Sequence, residues 1–507
     1  MAKQNYNGTG IPKEVKIIVA RLEEAGFEAY VVGGCSRDFL QNIEPNDWDI
    51  ATSAKPEEIQ KVFPDNFYEN KFLTVTVQTK SKDPVLKEIE ITTFRTEAKY
   101  TDKRHPDEVK FAETLEEDLA RRDFTINAIA LKLKAKNAKQ KTVTKKLRKD
   151  EYEIIDLFDG QKDLKAKIIR AVGNADDRFN EDALRMMRAA RLATVLGFKI
   201  EEKTKQAISK NSHLLKLVSA ERIRDEFVKI IMTDKATEGI RLLSGLGLLK
   251  YIVPELEEGI GVGQNKHHIY NCWEHNVLSL EYAAKKKFGF EVRLASLFHD
   301  IGKPRTKRGE GLDSTFYGHE IVGARIVAKV LERLKFPGQQ AEKITRLVRY
   351  HLFYYNVGEV GESSVRRLVR NVHPENLNEL LQVRMSDRVG SGVPKAEPYK
   401  LRHLKYVVEK VSKDPLSAKM LKVDGNEVMK ILGIKSGPKV GQILDILLGE
   451  VLEDPGKNKI DYLRKEVERF GLLPDNKLAE FAEDAKKERD QIEQKQDQMT
   501  KGKYWVT

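Results

Sequence analysis

The spacing of hydrophobic and polar positions changes along this chain, and the changes divide it into parts. Residues 13 to 25 repeat apolar positions at helical spacing, which predicts a first helix. Phe27 to Val32 reads as a short apolar strand, and Leu73 to Gln78 and Glu88 to Thr93 alternate with period two, as half-buried strands do. These signals predict a small head with a mixed β-sheet and helices, an α+β arrangement. After a strand and turn at Ile154 to Gly160, the pattern from about residue 176 to 256 becomes helical, with Leu184, Met187, Ala190 and Val195 as the expected buried stripe. It stays helical from Gly259 to about Gly392 and again from Ile443 to Leu452. The final residues, mostly charged helix formers, predict a solvated helix or a frayed tail.

Two polar segments interrupt the head. The stretch between Arg95 and Phe111, dense in charge and containing Pro106, reads as a mobile loop. A lysine-rich stretch from Lys132 to Lys149 separates two strand candidates and reads as a solvated hairpin, with a dedicated RNA contact as the alternative. At 507 residues the chain is long enough for three or four domains. Lys and Arg number 90 against 78 Asp and Glu, a net charge of +12, which suits a polyanionic partner. The two cysteines, Cys35 and Cys272, make no disulfide framework, and neither a signal core nor a membrane-length apolar run occurs. A reducing cytoplasm is the expected location, with no membrane partner.

The most informative chemistry lies in Val31-Val-Gly-Gly-Cys-Ser-Arg-Asp38, followed by Asp47-Trp-Asp49. A strand that ends in Gly33 and Gly34 allows a tight turn, Ser36 is placed to cap the next helix, and the turn's N–H groups would face a triphosphate. Asp47 and Asp49, two apart on a strand, would share one face and offer hard oxygen ligands to Mg2+. A cradle beside such a site points to nucleotidyl transfer. Alone, a Gly-Gly turn or an Asp-x-Asp carries little weight. Three further segments follow in order: Arg121-Arg-Asp-Phe-Thr-Ile-Asn-Ala128, Glu181-Asp-Ala-Leu-Arg-Met-Met-Arg-Ala-Ala-Arg191 and Ala220-Glu-Arg-Ile-Arg-Asp-Glu-Phe227.

Taken together, these segments resemble the bacterial-type (class II) tRNA nucleotidyltransferase and poly(A) polymerase family over nearly the whole chain. The resemblance implies that Gly34, Arg37 and Arg122 hold the incoming triphosphate and that Asp47 and Asp49 hold catalytic Mg2+. Asp182 and Arg185, three apart on an expected helix, would make only a salt bridge in isolation. In the family this position is a protein template that pairs with the edge of cytosine or adenine. Arg188 and Arg191 would continue the same face toward phosphates, and Asp102, Lys103 and Arg104 stand where a loop assists the switch from C to A. The segments Asp424 to Met429 and Ser436 to Gly441 resemble the family's RNA-holding body and tail.

The later helices carry a second pattern. Trp273-Glu-His275, Phe298-His-Asp300, Gly318-His-Glu320, Arg349-Tyr-His351 and Ser386-Asp387 resemble the HD metal-dependent phosphohydrolases. His275, His299, Asp300 and Asp387 would hold one ion, and His319 and His351 would allow a second. The donors suit Mn2+, Fe2+, Ni2+ or Zn2+ without choosing among them. The implied layout is a nucleotidyltransferase head (1–172), a helical neck (173–258), an HD domain (259–392) and a helical body and tail (393–507). The implied activity is addition of C, C and A to tRNA from CTP and ATP. Alternatives are a poly(A) polymerase, an enzyme adding only the terminal A, and an HD phosphohydrolase whose head only binds RNA. The oligomeric state is left open.

Overall fold

The computed structural model describes residues 10–69, 74–98, 108–134, 151–265, 269–412 and 421–506. They form two compact units, residues 1–351 with 382–393, and residues 352–381 with 394–507.

The first unit begins with α1 (Lys13–Glu24), where the 13–25 periodicity places it, and β1 (Ala29–Val32). Then come α2 (Gly34–Leu40), β2 (Asp49–Thr52), α3 (Pro56–Val62), β3 (Asn66–Glu69), β4 (Thr74–Gln78), β5 (Glu88–Thr93), β6 (Arg95–Ala98) and β7 (Glu108–Phe111). The head continues with α4 (Leu115–Ala120), β8 (Ile129–Leu133), β9 (Tyr152–Asp156) and α5 (Gly160–Ala166). Seven strands form one sheet in the order β3-β4-β5-β2-β1-β8-β9. All neighbours are antiparallel except β2 and β5. Strand β1 is central and covered on both faces. Val31 faces a core with Val15, Ile18, Leu22, Ile50 and Ile91, whereas Tyr30 and Val32 face Phe94, Leu115 and Leu119. This is why its sequence reads as a continuous apolar run while β4 and β5 alternate. The strands flanking the lysine-rich stretch, β8 and β9, pair antiparallel, and residues 135–150 between them lie outside the described residues.

The neck consists of α6 (Ala175–Glu181), α7 (Leu184–Leu196), α8 (Glu202–Asn211), α9 (Ala220–Ile231), α10 (Ala236–Gly245) and α11 (Pro254–Glu257). Helix α7 is buried almost all round, but Val195, expected in its buried stripe, is 45% exposed. It shares with Arg188 and Arg191 the one face of α7 that neighbouring helices leave open, at spacings of three and four residues. Next come α12 (Cys272–Lys285), α13 (Phe290–Phe298), α14 (Lys303–Thr306), α15 (His319–Arg333) and α16 (Gly338–Tyr350). Helix α17 (Glu362–Val372) belongs to the second unit, and α18 (Leu377–Gly390) rejoins the first from Gln382 onward.

The second unit continues with α19 (Tyr399–Ser412), α20 (Gly425–Leu432), α21 (Pro438–Glu453), α22 (Ile460–Gly471) and α23 (Asp475–Tyr504). Its core joins Val428, Ile443, Leu447, Leu463, Val467, Phe470 and Leu478. The charged terminal segment is one long helix anchored by Leu478 and Ala482. No helix of the described residues is long and apolar enough to cross a membrane.

Candidate active site and metal centre

The head site is built where β1 ends. Antiparallel pairing sets Val32 opposite Asp49, so the first residue of β2 lies beside the turn that follows β1. Gly33 occupies that turn with φ 81°, and a Cβ there would lie 3.1 Å from Asp49 Oδ2 and 3.3 Å from Arg122 Nη1. A side chain would therefore strain the backbone and push apart the carboxylate and the guanidinium. Gly34 opens α2, and its missing Cβ would only touch Arg37 Nη2 at 3.6 Å. The expected cap is corrected. Ser36 lies inside the helix and donates to Val31 O at 2.8 Å. Positive φ at Gly33 starts the helix straight off the strand, and no side chain caps its first turn, which suits an anionic ligand.

The expectation that both carboxylates lie on one strand is corrected: Asp47 sits, exposed, in the bend before β2, Trp48 is buried against Phe39, and Asp49, the first residue of β2, is partly buried. The parallel pairing of β2 with β5 puts Glu90 beside Asp49. Burial, then the charges of Asp47 and Glu90, raise the Asp49 carboxyl to about 7 against the opposing pull of Arg122. Three carboxylates facing one guanidinium favour a divalent cation, and oxygen donors fit Mg2+. Arg122 is held by Asp118 at 3.0 Å, and its buried Nε has no hydrogen-bond partner among the described residues.

Arg37 joins the head to the neck through a chain of contacts. Its Nη1 donates to Asn127 Oδ1 at 2.7 Å and its Nε to Asp38 at 2.9 Å. Asn127 in turn donates to Asp123 at 3.1 Å, and Arg188 Nε reaches the other Asp123 oxygen at 2.8 Å. Burial opposes the charge of Asp123, but Arg188 and Asn127 outweigh it and hold the carboxyl down at about 2.

The expectation that Asp182 and Arg185 lie on one helix is corrected. Asp182 ends α6 with extended backbone, φ −137° and ψ 104°, so the helix is broken between the two residues. Its carboxylate accepts from Arg222 at 2.7 and 3.2 Å and from Leu184 N at 3.1 Å. Arg185 is 8% exposed, pairs with Glu181 at 2.5 Å and donates to Arg121 O at 3.1 Å. It leaves the face shared by Arg188 and Arg191, because three-residue steps drift around a helix of 3.6 residues per turn. Arg191 pairs with Glu226 at 2.6 Å. Asp102, Lys103 and Arg104 lie outside the described residues.

The second cluster is buried in the first unit. Helix α12 carries His275, the end of α13 carries His299 and Asp300, α15 opens with His319, α16 ends at His351, and α18 brings Asp387. Glycine permits these approaches. A Cβ on Gly302 would lie 2.3 Å from His319 O, and one on Gly390 would lie 2.8 Å from His275 O. Asp300 is central. Its Oδ2 lies 2.9 Å from His275 Nε2 and 3.3 Å from His299 Nε2, while its Oδ1 lies 3.2 Å from His319 Nε2 and 3.5 Å from His351 Nε2. Asp387 Oδ1 lies 3.4 Å from His275 and 3.6 Å from His299.

Three of these imidazoles are oriented alike. Nδ1 of His299, His319 and His351 meets the carbonyl three residues earlier at 2.7 to 2.8 Å. A carbonyl only accepts, so Nδ1 carries a proton and Nε2 is the ring atom that faces the cluster. The donors of His275, His299 and Asp387, and those of His299, Asp300 and His351, each lie within 4.8 Å of one another. The set would fit a metal ion, and the two carboxylate oxygens of Asp300 face different pairs of imidazoles. Burial alone would lower His299, yet Asp300 and Asp387 raise it to about 10. The two carboxylates that hold this proton would also be ligands to a cation. Lys303 Nζ sits 2.6 Å from Asp300 Oδ2 and 2.6 Å from Gln264 Oε1, and Arg384 sits 2.6 Å from Asp387 Oδ2.

Several of these residues escaped the sequence reading. Glu90 lies in a recognised strand, but only the non-local pairing of β5 with β2 brings it to Asp49. Arg222 and Glu226 lay in a recognised segment without a visible target. Lys303 and Arg384 stand three residues from Asp300 and Asp387, a helical spacing that could have flagged both.

Residues 29–170 match the family model of the poly A polymerase head domain. Residues 197–260 match the probable RNA and SrmB-binding site of polymerase A, and residues 270–389 match the HD domain. The CCA-adding enzyme of Lactobacillus delbrueckii subsp. bulgaricus is 47% identical over 247 residues, 48% of this chain and 56% of the relative. That of Ligilactobacillus salivarius is 46% identical over 250 residues, 48% of this chain and 55% of the relative. The match thus spans about half the length of these curated relatives. The crystal structure of the Bacillus stearothermophilus CCA-adding enzyme in complex with CTP is 27% identical, with a TM-score of 0.56 over 90% of this chain and 98% of that one. With a poly(A) polymerase head, an RNA-binding segment and an HD domain in this order, the chain is similar to the CCA-adding enzymes in sequence over about half its length and in fold over most of it.

Proposed function

We propose that this chain adds C, C and A in turn to the 3′ end of tRNA, using CTP and ATP without a nucleic-acid template and releasing pyrophosphate. The observation that carries this reading is the meeting of Asp49 and Arg122 at the Gly33 turn, with Asp47 and Glu90 near enough to raise the Asp49 carboxyl, in a chain whose relatives are CCA-adding enzymes. Mg2+ bound by Asp47 and Asp49 would supply Lewis acidity for in-line attack of the RNA 3′ hydroxyl on the α-phosphorus. The chain's own residues do the positioning. The Gly33–Gly34 turn, Arg37 and Arg122 hold the triphosphate, and Arg188 and Arg191 offer their charge to phosphates. Asp182 and Arg185 present acceptor and donor groups to the base edge, each held by a partner, Arg222 and Glu181. The neck and residues 393–507 grip the tRNA, and the site of action is the cytoplasm.

The proposal is tested by supplying tRNA that lacks its 3′ CCA. CTP alone should extend it, whereas a poly(A) polymerase or an A-adding enzyme would use only ATP. Base choice follows from the geometry at Asp182. Asp182→Ala, and Arg222→Ala, which removes both guanidinium hydrogen bonds to that carboxylate, should each raise UTP or GTP incorporation relative to CTP and ATP by roughly tenfold or more. A slower enzyme with unchanged selectivity would reduce Asp182 to a structural ion pair.

The buried His/Asp cluster supports a second activity, a metal-dependent phosphohydrolase acting on phosphomonoesters or 2′,3′-cyclic phosphates. His275, His299, Asp300 and Asp387 hold the first ion, and His319 and His351 complete a site for another. Mn2+, Ni2+, Fe2+ or Zn2+ would suit the donors and, when bound, activate water.

A further inference from the structure

The charges around the HD cluster are arranged in pairs. Asp300 has Lys303 at 2.6 Å, and Asp387 has Arg384 at 2.6 Å. Behind His319, Glu320 lies 3.5 Å from Arg349. Each carboxylate at or next to the metal ligands therefore already faces a cation from the protein. Arg388 stands beside Asp387 in sequence, and its buried Nε has no hydrogen-bond partner among the described residues. Lys303 is only 6% exposed and cannot swing freely into solvent. Its ammonium is fixed by Asp300 and by Gln264, whose Nε2 is in turn anchored on Tyr270 O at 3.1 Å.

This arrangement has an electrostatic consequence. Most carboxylate sites offset the charge of a divalent ion with their own negative charge. Here that charge is matched by Lys303 and Arg384, and the imidazoles that donate lone pairs add none. An ion entering the cluster would bring two positive charges that the surrounding side chains leave uncompensated in a buried, low-dielectric place. A ligand with two negative charges restores the balance, and a phosphomonoester dianion carries that charge together with oxygens that metal, Lys303 and Arg384 can all contact.

Resting on the reading of this cluster as a metal site, we propose that Lys303 and Arg384 are positioning residues that make metal binding and dianionic phosphate binding cooperative. The centre then holds a divalent ion firmly only together with a dianionic phosphoryl group, which favours phosphomonoesters over monoanionic cyclic diesters as its substrates.

The test is Mn2+ binding to the full chain, followed by titration calorimetry and the paramagnetic signal of free Mn2+, with and without inorganic phosphate at about pH 8, where phosphate is dianionic. Asp47→Ala with Asp49→Ala in every sample removes the head's metal ligands from the signal. Phosphate should tighten Mn2+ binding by on the order of tenfold. Lys303→Met with Arg384→Met should tighten Mn2+ binding in the absence of phosphate and abolish the gain that phosphate brings. Lys303→Gln with Arg384→Gln, which keeps side-chain length and a hydrogen-bonding end, should behave alike and serves if the Met pair does not fold. Mn2+ binding that is indifferent to phosphate, or a phosphate gain that survives either double substitution, would overturn the proposal while leaving the metal site intact. Absence of Mn2+ binding with and without phosphate would overturn the metal site itself, and the proposal with it.

Discussion

Asp47→Ala and Asp49→Ala should each lower nucleotide addition by on the order of 10^3-fold or more, with tRNA affinity within about twofold of the parent. The two carboxylates converge with Glu90 at the end of β1 and carry the negative charge that favours Mg2+. A pH dependence accompanies the effect. Burial, Asp47 and Glu90 raise Asp49 to about 7, so protons compete with Mg2+ below that value. The Mg2+ concentration needed for half-maximal rate should therefore rise as pH falls from about 8 to about 6. It should become flat with pH in Asp49→Asn, whatever activity remains. Retained activity in either alanine variant, or a matching loss of tRNA binding, would remove these residues from catalysis.

His299→Ala combined with Asp300→Ala should strip metal from the HD domain and abolish hydrolysis of phosphomonoesters or cyclic phosphates, leaving CCA addition within about twofold. Asp300 touches four imidazoles and Lys303, so its removal takes away the atom that links both halves of the cluster. The two centres use different donors on different elements of the first unit, carboxylates on the head sheet and imidazoles on α12 to α16. Metal content by elemental analysis and both activities on one preparation decide the matter. In the parent, metal must displace the proton held at His299, which the carboxylates raise to about 10, so metal affinity should fall as pH drops. A folded double variant that no longer adds CCA would refute the independence of the sites.

What could be read from the sequence follows from how local each feature is. Gly33, Gly34, Asp47 and Asp49 lie within one short stretch, so their meeting needs only a strand, a turn and the next strand. The His299-Asp300 dipeptide was visible for the same reason. Features that depend on long-range pairing were hidden. Glu90 reaches Asp49 through the parallel β2 and β5 contact, and Arg222 reaches Asp182 across 40 residues. Where the reading went astray, helical geometry was extrapolated too far. A break between α6 and α7 separates Asp182 from Arg185, and the drift of three-residue steps turns Arg185 inward while Arg188 and Arg191 stay with Val195 on the open face. Ser36 failed as a cap because Gly33 starts the helix before it.

The central claim is tested most directly by sizing the products made on a tRNA that ends at the nucleotide immediately before its CCA. With CTP alone the account predicts growth by two residues and then arrest. With CTP and ATP together it predicts three residues, ending in A, and no further extension. A ladder of adenosines, a single A added only to tRNA already ending in CC, or no extension at all would contradict it.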